Sequence, residues 1–178
     1  MIVLGLSGSL RQGSYNARLL RAAGGGMPPG VRLVPFEGLA DIPPYNEDTP
    51  VDASVAALRE AIRAADAVLI ATPEYNSSVP GQLKNALDWA SRPFPDNALR
   101  HKPVAVVGAS TGLFGAVWAQ AELRKVLTTI GASVVDAELA VGEAHHAFDG
   151  EARLVDPGLR SSLEGIVNRL VAVARIAA

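Results

Sequence analysis

Three short stretches of the chain place hydroxyls, amides and single charges where apolar runs end. In "LGLSGSLRQGSYNARLL" (4–20) the first run stops at Ser7, and helix-like spacing resumes only at Leu19. Gly8 and Gly13 suit a sharp turn and the close approach of a ligand, and Ser14 suits a helix N-cap. Helix N-terminal amides beside hydroxyls and one guanidinium, that of Arg11, make an anion site. A capped turn without a ligand is the plainer reading. In "TPEYNSSVPGQLKNALDW" (72–89) two prolines fix a loop carrying Tyr75 and two serines, which are poor core material. In "GASTGLFGAV" (108–117), Gly112 and Gly115 permit close approach, while Ser110 and Thr111 offer hydroxyl donors.

The spacing of the first stretch distinguishes the phosphate sites it could form. A P-loop needs a lysine after its second glycine. Here Gly8 and Gly13 have the spacing, but Ser14-Tyr15 follows, which argues against a nucleoside triphosphate. The G-x-G-x-x-G dinucleotide fingerprint is absent, although Glu37 stands where a ribose-binding acid would be. A single phosphate, such as that of FMN, remains.

Alternating strands and helices must position these loops. "IVLGLS" (2–7), "VRLVPF" (31–36), "AVLIAT" (67–72), "VAVVGA" (104–109) and "SVVDAE" (133–138) read as strands. The middle ones are almost continuously apolar, as in a parallel sheet covered on both faces. Helices are expected from Ser14 or Tyr15, over about 52–65, 80–90 and 116–130, and after Pro157. "GGGMPPG" (24–30) reads as the turn after the first helix. The fold class is therefore α/β, with five parallel strands in a three-layer α/β/α sandwich. Such sheets bind ligands beyond the carboxyl ends of their strands, and all three stretches lie there.

At 178 residues one domain spanning 1–178 is expected. The net charge of −2 favours neither nucleic acid nor an anionic membrane as partner. Without cysteine, disulfide and thiol chemistry are excluded. No secretory leader pattern or membrane-length apolar run is visible, so a soluble, cytoplasmic protein is expected.

Taken in order, "GSLRQGSYN", "TPEYNSSVPGQLKNALDW" and the glycine loop after the fourth strand resemble the NADPH-dependent FMN reductase family. The resemblance implies a flavodoxin-like fold, non-covalent FMN, and NADPH or NADH as reductant. It implies small electron acceptors: a quinone, a flavin, an azo dye or a metal oxyanion. It also implies a homodimer or homotetramer. By the same resemblance Ser9, Arg11, Ser14 and Asn16 match phosphate-binding positions, with Leu10 and Tyr15 in the same loop. Pro73, Glu74, Tyr75 and Asn76 match the loop lining the isoalloxazine, and Ala109, Ser110, Thr111 and Gly112 the loop on its other side. Many relatives have paired glycines where this chain has Gly115-Ala116. "DIPPYNED" (41–48) resembles a loop often found near the subunit interface.

Flavin chemistry belongs to the cofactor, so no side chain is nominated as catalytic acid, base or nucleophile. Glu74 is assigned a structural role, through its backbone or an ion pair across an interface. His145 and His146 are adjacent, which would aim them apart on a helix or strand, and no metal site is expected. Leu87, Trp89 and Phe94 gather at the end of the third helix, and part of this group is expected at a subunit interface. No 2′-phosphate pocket is identifiable in the sequence, so a preference for NADPH rests on the resemblance alone. A flavodoxin-type electron carrier and a nucleotide-binding module without redox activity are the alternative functions.

Overall fold

The strands are arranged by burial, the most apolar in the middle of the sheet. In the computed structural model, which describes residues 1–177, β1 (Ile2–Ser7), β3 (Ala67–Thr72) and β4 (Pro103–Ala109) occupy the middle of the sheet, and every residue of β3 and β4 is buried. The edge strand β2 (Arg32–Phe36) is only half-buried. All pairings are parallel, in the order β2-β1-β3-β4-β5.

Period-2 alternation divides the central strands between two cores. Leu4, Leu6, Val68, Ile70, Val104 and Val106 face α2 (Ala53–Ala64), α3 (Gly81–Ala90) and α4 (Val117–Ile130). Val3, Leu69, Ala71, Ala105 and Val107 face α1 (Tyr15–Gly25) and α5 (Pro157–Ala177). This is the expected three-layer sandwich. No helix among the described residues is long and apolar enough to cross a membrane.

Two details depart from the sequence reading. Of the fifth strand expected over 133–138 only β5 (Ser133–Val134) forms, and a second short piece, β6 (Ala140–Val141), follows beyond it; both pair with β4. Val104 pairs with Val134 and Gly108 with Ala140, so the outer chain spends two more residues than β4 over the same stretch. The excess bulges out after Val135, where Ala137 N–H turns back on the Val135 carbonyl at 2.9 Å. Gly24 and Gly25 belong to the last turn of α1, not to the following turn, and Gly26 is its C-cap.

The aromatic group at the end of α3 divides between core and surface. Leu87 and Trp89 are core residues. The Trp89 indole N–H donates to the Pro43 carbonyl at 2.8 Å, and its ring packs edge-on against Tyr45. Only Phe94 of that group is exposed. The loop at 41–48 is thereby fastened to α3. Within it the Glu47 carboxyl is held below its usual range by hydrogen bonds from the Tyr45 hydroxyl and then from Arg92.

Candidate functional site

The loop after β1 is held by its own hydroxyls and backbone and, among the described residues, leaves the amides of Leu10, Gln12 and Gly13 free. Gly8 N–H donates to Ala71 on β3 at 2.8 Å, which carries the pairing one step past the strand. Neither Gly8 nor Gly13 has a positive φ. Gly8 is closely packed: a Cβ there would stand 2.9 Å from the tip of the Leu83 side chain and 3.2 Å from the Pro73 ring. Ser14 caps α1 by accepting from Ala17 N–H at 3.2 Å, which leaves its hydroxyl hydrogen to donate elsewhere. Ser9 Oγ accepts from Arg11 N–H at 3.4 Å. The amides of Tyr15 and Asn16, in the first helical turn, have no intrahelical acceptor. Arg11 is exposed, and residues 9–16 contain no carboxylate. Free donors and one guanidinium without a local acid form an anion site.

Two of the residues expected there do something else. Asn16 is 2% exposed, and its amide reaches the end of β4. It donates to the Ala109 carbonyl at 2.9 Å and accepts from the Ala109 N–H at 3.0 Å. The side chain therefore ties the first loop to the third, and only the Asn16 backbone remains for a ligand. The same bonds consume both backbone groups of Ala109. Tyr15 turns away from the loop, stacked with Phe148 at 6.3 Å with Arg18 over its ring.

The loop after β3 is a miniature hairpin. Tyr75 and Ser78 exchange backbone hydrogen bonds at 3.2 and 3.1 Å, with Asn76 and Ser77 both left-handed between them. Positive φ at both central residues is the primed turn that joins antiparallel strands most tightly. Pro73 is buried at its base, and Tyr75 and Asn76 are exposed on its arm and tip.

Two carboxylates dock this hairpin on α4. Glu74 Oε2 accepts from the Trp118 and Ala119 N–H groups, each at 3.0 Å, and so caps a helix whose own N-cap residue, Ala116, offers no side-chain bond. Glu122 Oε2 accepts from the Ser78 hydroxyl at 2.7 Å and the Val79 N–H at 3.2 Å. Glu74 thus has the structural role anticipated, but within the chain and through its carboxylate. Glu122 has no local motif to reveal it. Glu74→Ala is expected to destabilise the fold by about 1 kcal/mol, and Tm by roughly 2–4 °C for a domain of this size. An unchanged melting curve would refute the cap.

The loop after β4 is pressed onto β6. Gly115 has φ +58, and a Cβ there would meet Ala140 and Val141 backbone atoms at 2.5–2.7 Å. Ala116, the next residue, also takes a left-handed φ of 65. The buried Gln120 amide donates to the Gly115 carbonyl at 3.2 Å and steadies the turn. Ser110 Oγ accepts from Gly112 N–H at 3.2 Å, while Thr111 and Gly112 face outward.

The three loops therefore stand side by side at the carboxyl ends of β1, β3 and β4. A cavity of about 300 Å³ between the first two is lined by Leu10, Arg11, Tyr75, Pro80 and Gln82. His145 and His146 lie outside this group. Their ring centroids stand 4.0 Å apart, because the pair sits in a turn, closed by His146 N–H on the Glu143 carbonyl at 2.8 Å, and not on the helix or strand that would aim them apart. No cluster of three or more His, Cys, Asp or Glu suited to a metal occurs among the described residues.

Comparison with known proteins agrees with this geometry. The family model described as NADPH-dependent FMN reductase matches residues 1–146. The chain is 46% identical over 166 residues to an NAD(P)H-dependent FMN reductase of Pseudomonas aeruginosa, covering 91% of this chain and 89% of that one. It is 40% identical over 169 residues to a quinone reductase of Escherichia coli, covering 92% and 89% respectively. Among solved structures, the flavoenzyme NAD(P)H:(acceptor) oxidoreductase of Paracoccus denitrificans superposes with a TM-score of 0.87 at 34% identity, over 98% of this chain and 97% of that one.

Proposed function

The chain belongs to the NADPH-dependent FMN reductase family, and from that premise we propose that it is an FMN-dependent oxidoreductase drawing on NADPH or NADH to reduce small acceptors. The observation that carries this reading is the convergence of an acid-free, donor-rich first loop with two further loops at adjacent strand ends.

The residues present fit FMN. The Ser9 and Ser14 hydroxyls, the amides of Tyr15 and Asn16, and the Arg11 guanidinium suit a phosphate monoester. Pro73, Glu74, Tyr75 and Asn76 on one side, and Ser110, Thr111 and Gly112 on the other, would flank the ring system. Bound FMN supplies the redox chemistry, taking hydride from NAD(P)H and reducing the acceptor. The protein's contribution is position. Asn16 fixes the spacing between the first and third loops, Glu74 and Glu122 fix the second against α4, and backbone amides are left to meet the polar edge of a flat heterocycle.

Leu10 and Tyr75 border one opening between the loops, so reductant and acceptor are expected to use it in turn. The test is a flavin spectrum on the purified protein, followed by steady-state NADPH oxidation with a quinone, the acceptor named for its Escherichia coli relative. Parallel double-reciprocal lines are expected, with inhibition by each substrate at high concentration. Intersecting lines would show both substrates bound together and overturn the shared opening. A flavin-loaded protein that does not turn over with NADPH, NADH or any acceptor would instead be an electron carrier. Azo dyes and metal oxyanions are further acceptors to try.

We also propose a homodimer or homotetramer. Leu113, Phe114 and Trp118 are exposed together beside the third loop, with Phe114 and Trp118 edge-to-face at 5.1 Å. Apolar surface of this kind marks interfaces. Light scattering at micromolar concentration is expected to give a multiple of the subunit mass, and Trp118→Lys to lower it. A monomer mass for the unaltered protein would refute the assembly.

A further inference from the structure

An arginine interrupts the apolar face of α2. Val55, Leu58 and Ile62 are buried at helical spacing, and Arg59 shares their face, only 9% exposed. A guanidinium so deeply buried is ordinarily paired with an acid. Arg59 is not: among the described residues it takes part in no ion pair. Its Nε and Nη2 both donate to the Trp89 carbonyl near the end of α3, at 3.1 and 2.8 Å. That cap accounts for one edge of the group. Both hydrogens on Nη1 and one on Nη2 remain, and together they form the forked edge that takes a carboxylate bidentately. Burial, and then repulsion from Arg63 one turn on, hold the Arg59 pKa below its ordinary range, as for a charge that its surroundings compensate poorly.

Arg59 lines a cavity of about 500 Å³, a volume suited to a small organic molecule. The cavity opens between the segment before α2 and the turn after α3, with Val51 on one rim and Phe94 on the other, both exposed. Arg59 and Trp89 are its deepest residues. Tyr45 packs edge-on against Trp89 at 5.0 Å, so the inner wall is aromatic. Arg59 stands 6.0 Å over the Trp89 ring, and Arg92 stands 5.8 Å over that of Tyr45. Of these two cations, Arg92 is neutralised by Glu47, to which its Nε donates at 2.8 Å. Glu47 is the only carboxylate in the lining, so one positive charge is left over, and it is the deep one. Trp89 lies near the far end of α3, roughly 12 Å along the helix from the loops at its start. None of the lining residues belongs to those loops.

A monoanion with a flat apolar body matches this lining. We propose that the cavity between α2 and the end of α3 is a binding site for an aromatic carboxylate, separate from the flavin site. The carboxylate takes the free edge of Arg59, and the ring lies between Tyr45 and Phe94, where aromatic faces and edges suit one another. A phosphate dianion would ask for a second unpaired cation, which Glu47 has claimed. An aliphatic acid would leave the aromatic wall uncovered.

The probe is benzoate, with benzamide as its uncharged counterpart and acetate as its ring-free one, each added to the FMN-loaded protein. The chain has two tryptophans, Trp89 and Trp118, so a proton–nitrogen correlation spectrum carries two indole signals, which Trp118→Phe assigns. Benzoate is expected to shift the Trp89 signal saturably and to leave the Trp118 signal and the flavin absorbance in place. By calorimetry it should bind at least about tenfold more tightly than benzamide or acetate. Arg59→Lys keeps a charge without the fork and should weaken benzoate by about tenfold. Because Arg59 also caps α3, Phe94→Leu supplies a second variant, whose exposed position leaves Tm unchanged while benzoate weakens severalfold. Equal affinity of the unaltered protein for benzoate and benzamide, or a Trp89 signal that benzoate does not move, would overturn the proposal without any variant. Full affinity in both Arg59→Lys and Phe94→Leu would do the same. Benzoate that moves only the Trp118 signal or the flavin spectrum would belong to the flavin site, and the separate cavity would be refuted.

Discussion

Asn16→Ala is expected to be the most damaging single substitution at the site, although the residue needs no ligand to exert its effect. The amide spans from α1 to the end of β4, and both of its bonds are buried. Truncation leaves the Ala109 N–H and carbonyl unpaired in a dry environment, at about 1–3 kcal/mol each. A loss of roughly 2–5 kcal/mol follows, lowering Tm on the order of 10 °C in a domain of this size. The first and third loops also lose their fixed spacing, so FMN affinity should fall with stability. Asn16→Asp separates hydrogen bonding from packing. As a carboxylate, the substituted group can accept from Ala109 N–H but cannot donate to the carbonyl. Once protonated, it does both. The folded state therefore raises its pKa above the unfolded value of about 3.9. The lost stability should return as pH falls through the raised folded pKa and be fully restored below the unfolded value. Equal destabilisation of this variant at pH 5 and pH 8, or a Tm for Asn16→Ala within 2 °C of the unaltered protein, would refute the tie.

What could be read from the sequence divides along physical lines. The central strands were legible because both faces of β3 and β4 are buried, which leaves an unbroken apolar run. The loops were legible because glycine, proline and hydroxyl residues punctuate those runs at the strand ends, where a parallel sheet binds its ligands. Functions set by distant partners were not. Asn16 finds its acceptor 93 residues away, and Glu74 caps a helix 44 residues on. Nothing in either local sequence distinguishes these uses from solvent exposure or ligand contact. The aromatic group at the end of α3 was legible only in part. Trp89 looks like surface material at a helix end, but the loop at 41–48 folds over it and accepts its N–H. The exposed apolar surface comprises Phe94, as expected, together with Leu113, Phe114 and Trp118, which the third loop turns outward. The broken fifth strand reflects weak register at an edge: the two pieces hold only two residues each, so two surplus residues can be expelled without uncovering the core.

Arg11→Ala is expected to weaken FMN binding by about tenfold to a hundredfold while leaving the fold untouched. Arg11 is the only cation in the first loop, and among the described residues no hydrogen bond or ion pair holds its side chain. Its removal therefore costs the unliganded protein nothing, unlike removal of Asn16, and the apo melting temperature should not move. What is lost is a charge-assisted hydrogen bond to a phosphate dianion, worth roughly 1.5–3 kcal/mol. The Ser9 and Ser14 hydroxyls and the α1 amides remain, so binding is weakened rather than abolished. Riboflavin, which has the ring but no phosphate, provides the internal control. Its dissociation constant should change by less than about twofold, because the second and third loops are unaltered. Raising ionic strength should close the gap between variant and unaltered protein, since salt screens an exposed guanidinium more strongly than the amides behind it. Lysine at this position keeps the charge but loses the planar fork, so Arg11→Lys should fall between the two. An FMN dissociation constant unchanged in Arg11→Ala would remove Arg11 from the phosphate site and leave the helix N-terminus and its hydroxyls to hold the phosphate without a cation.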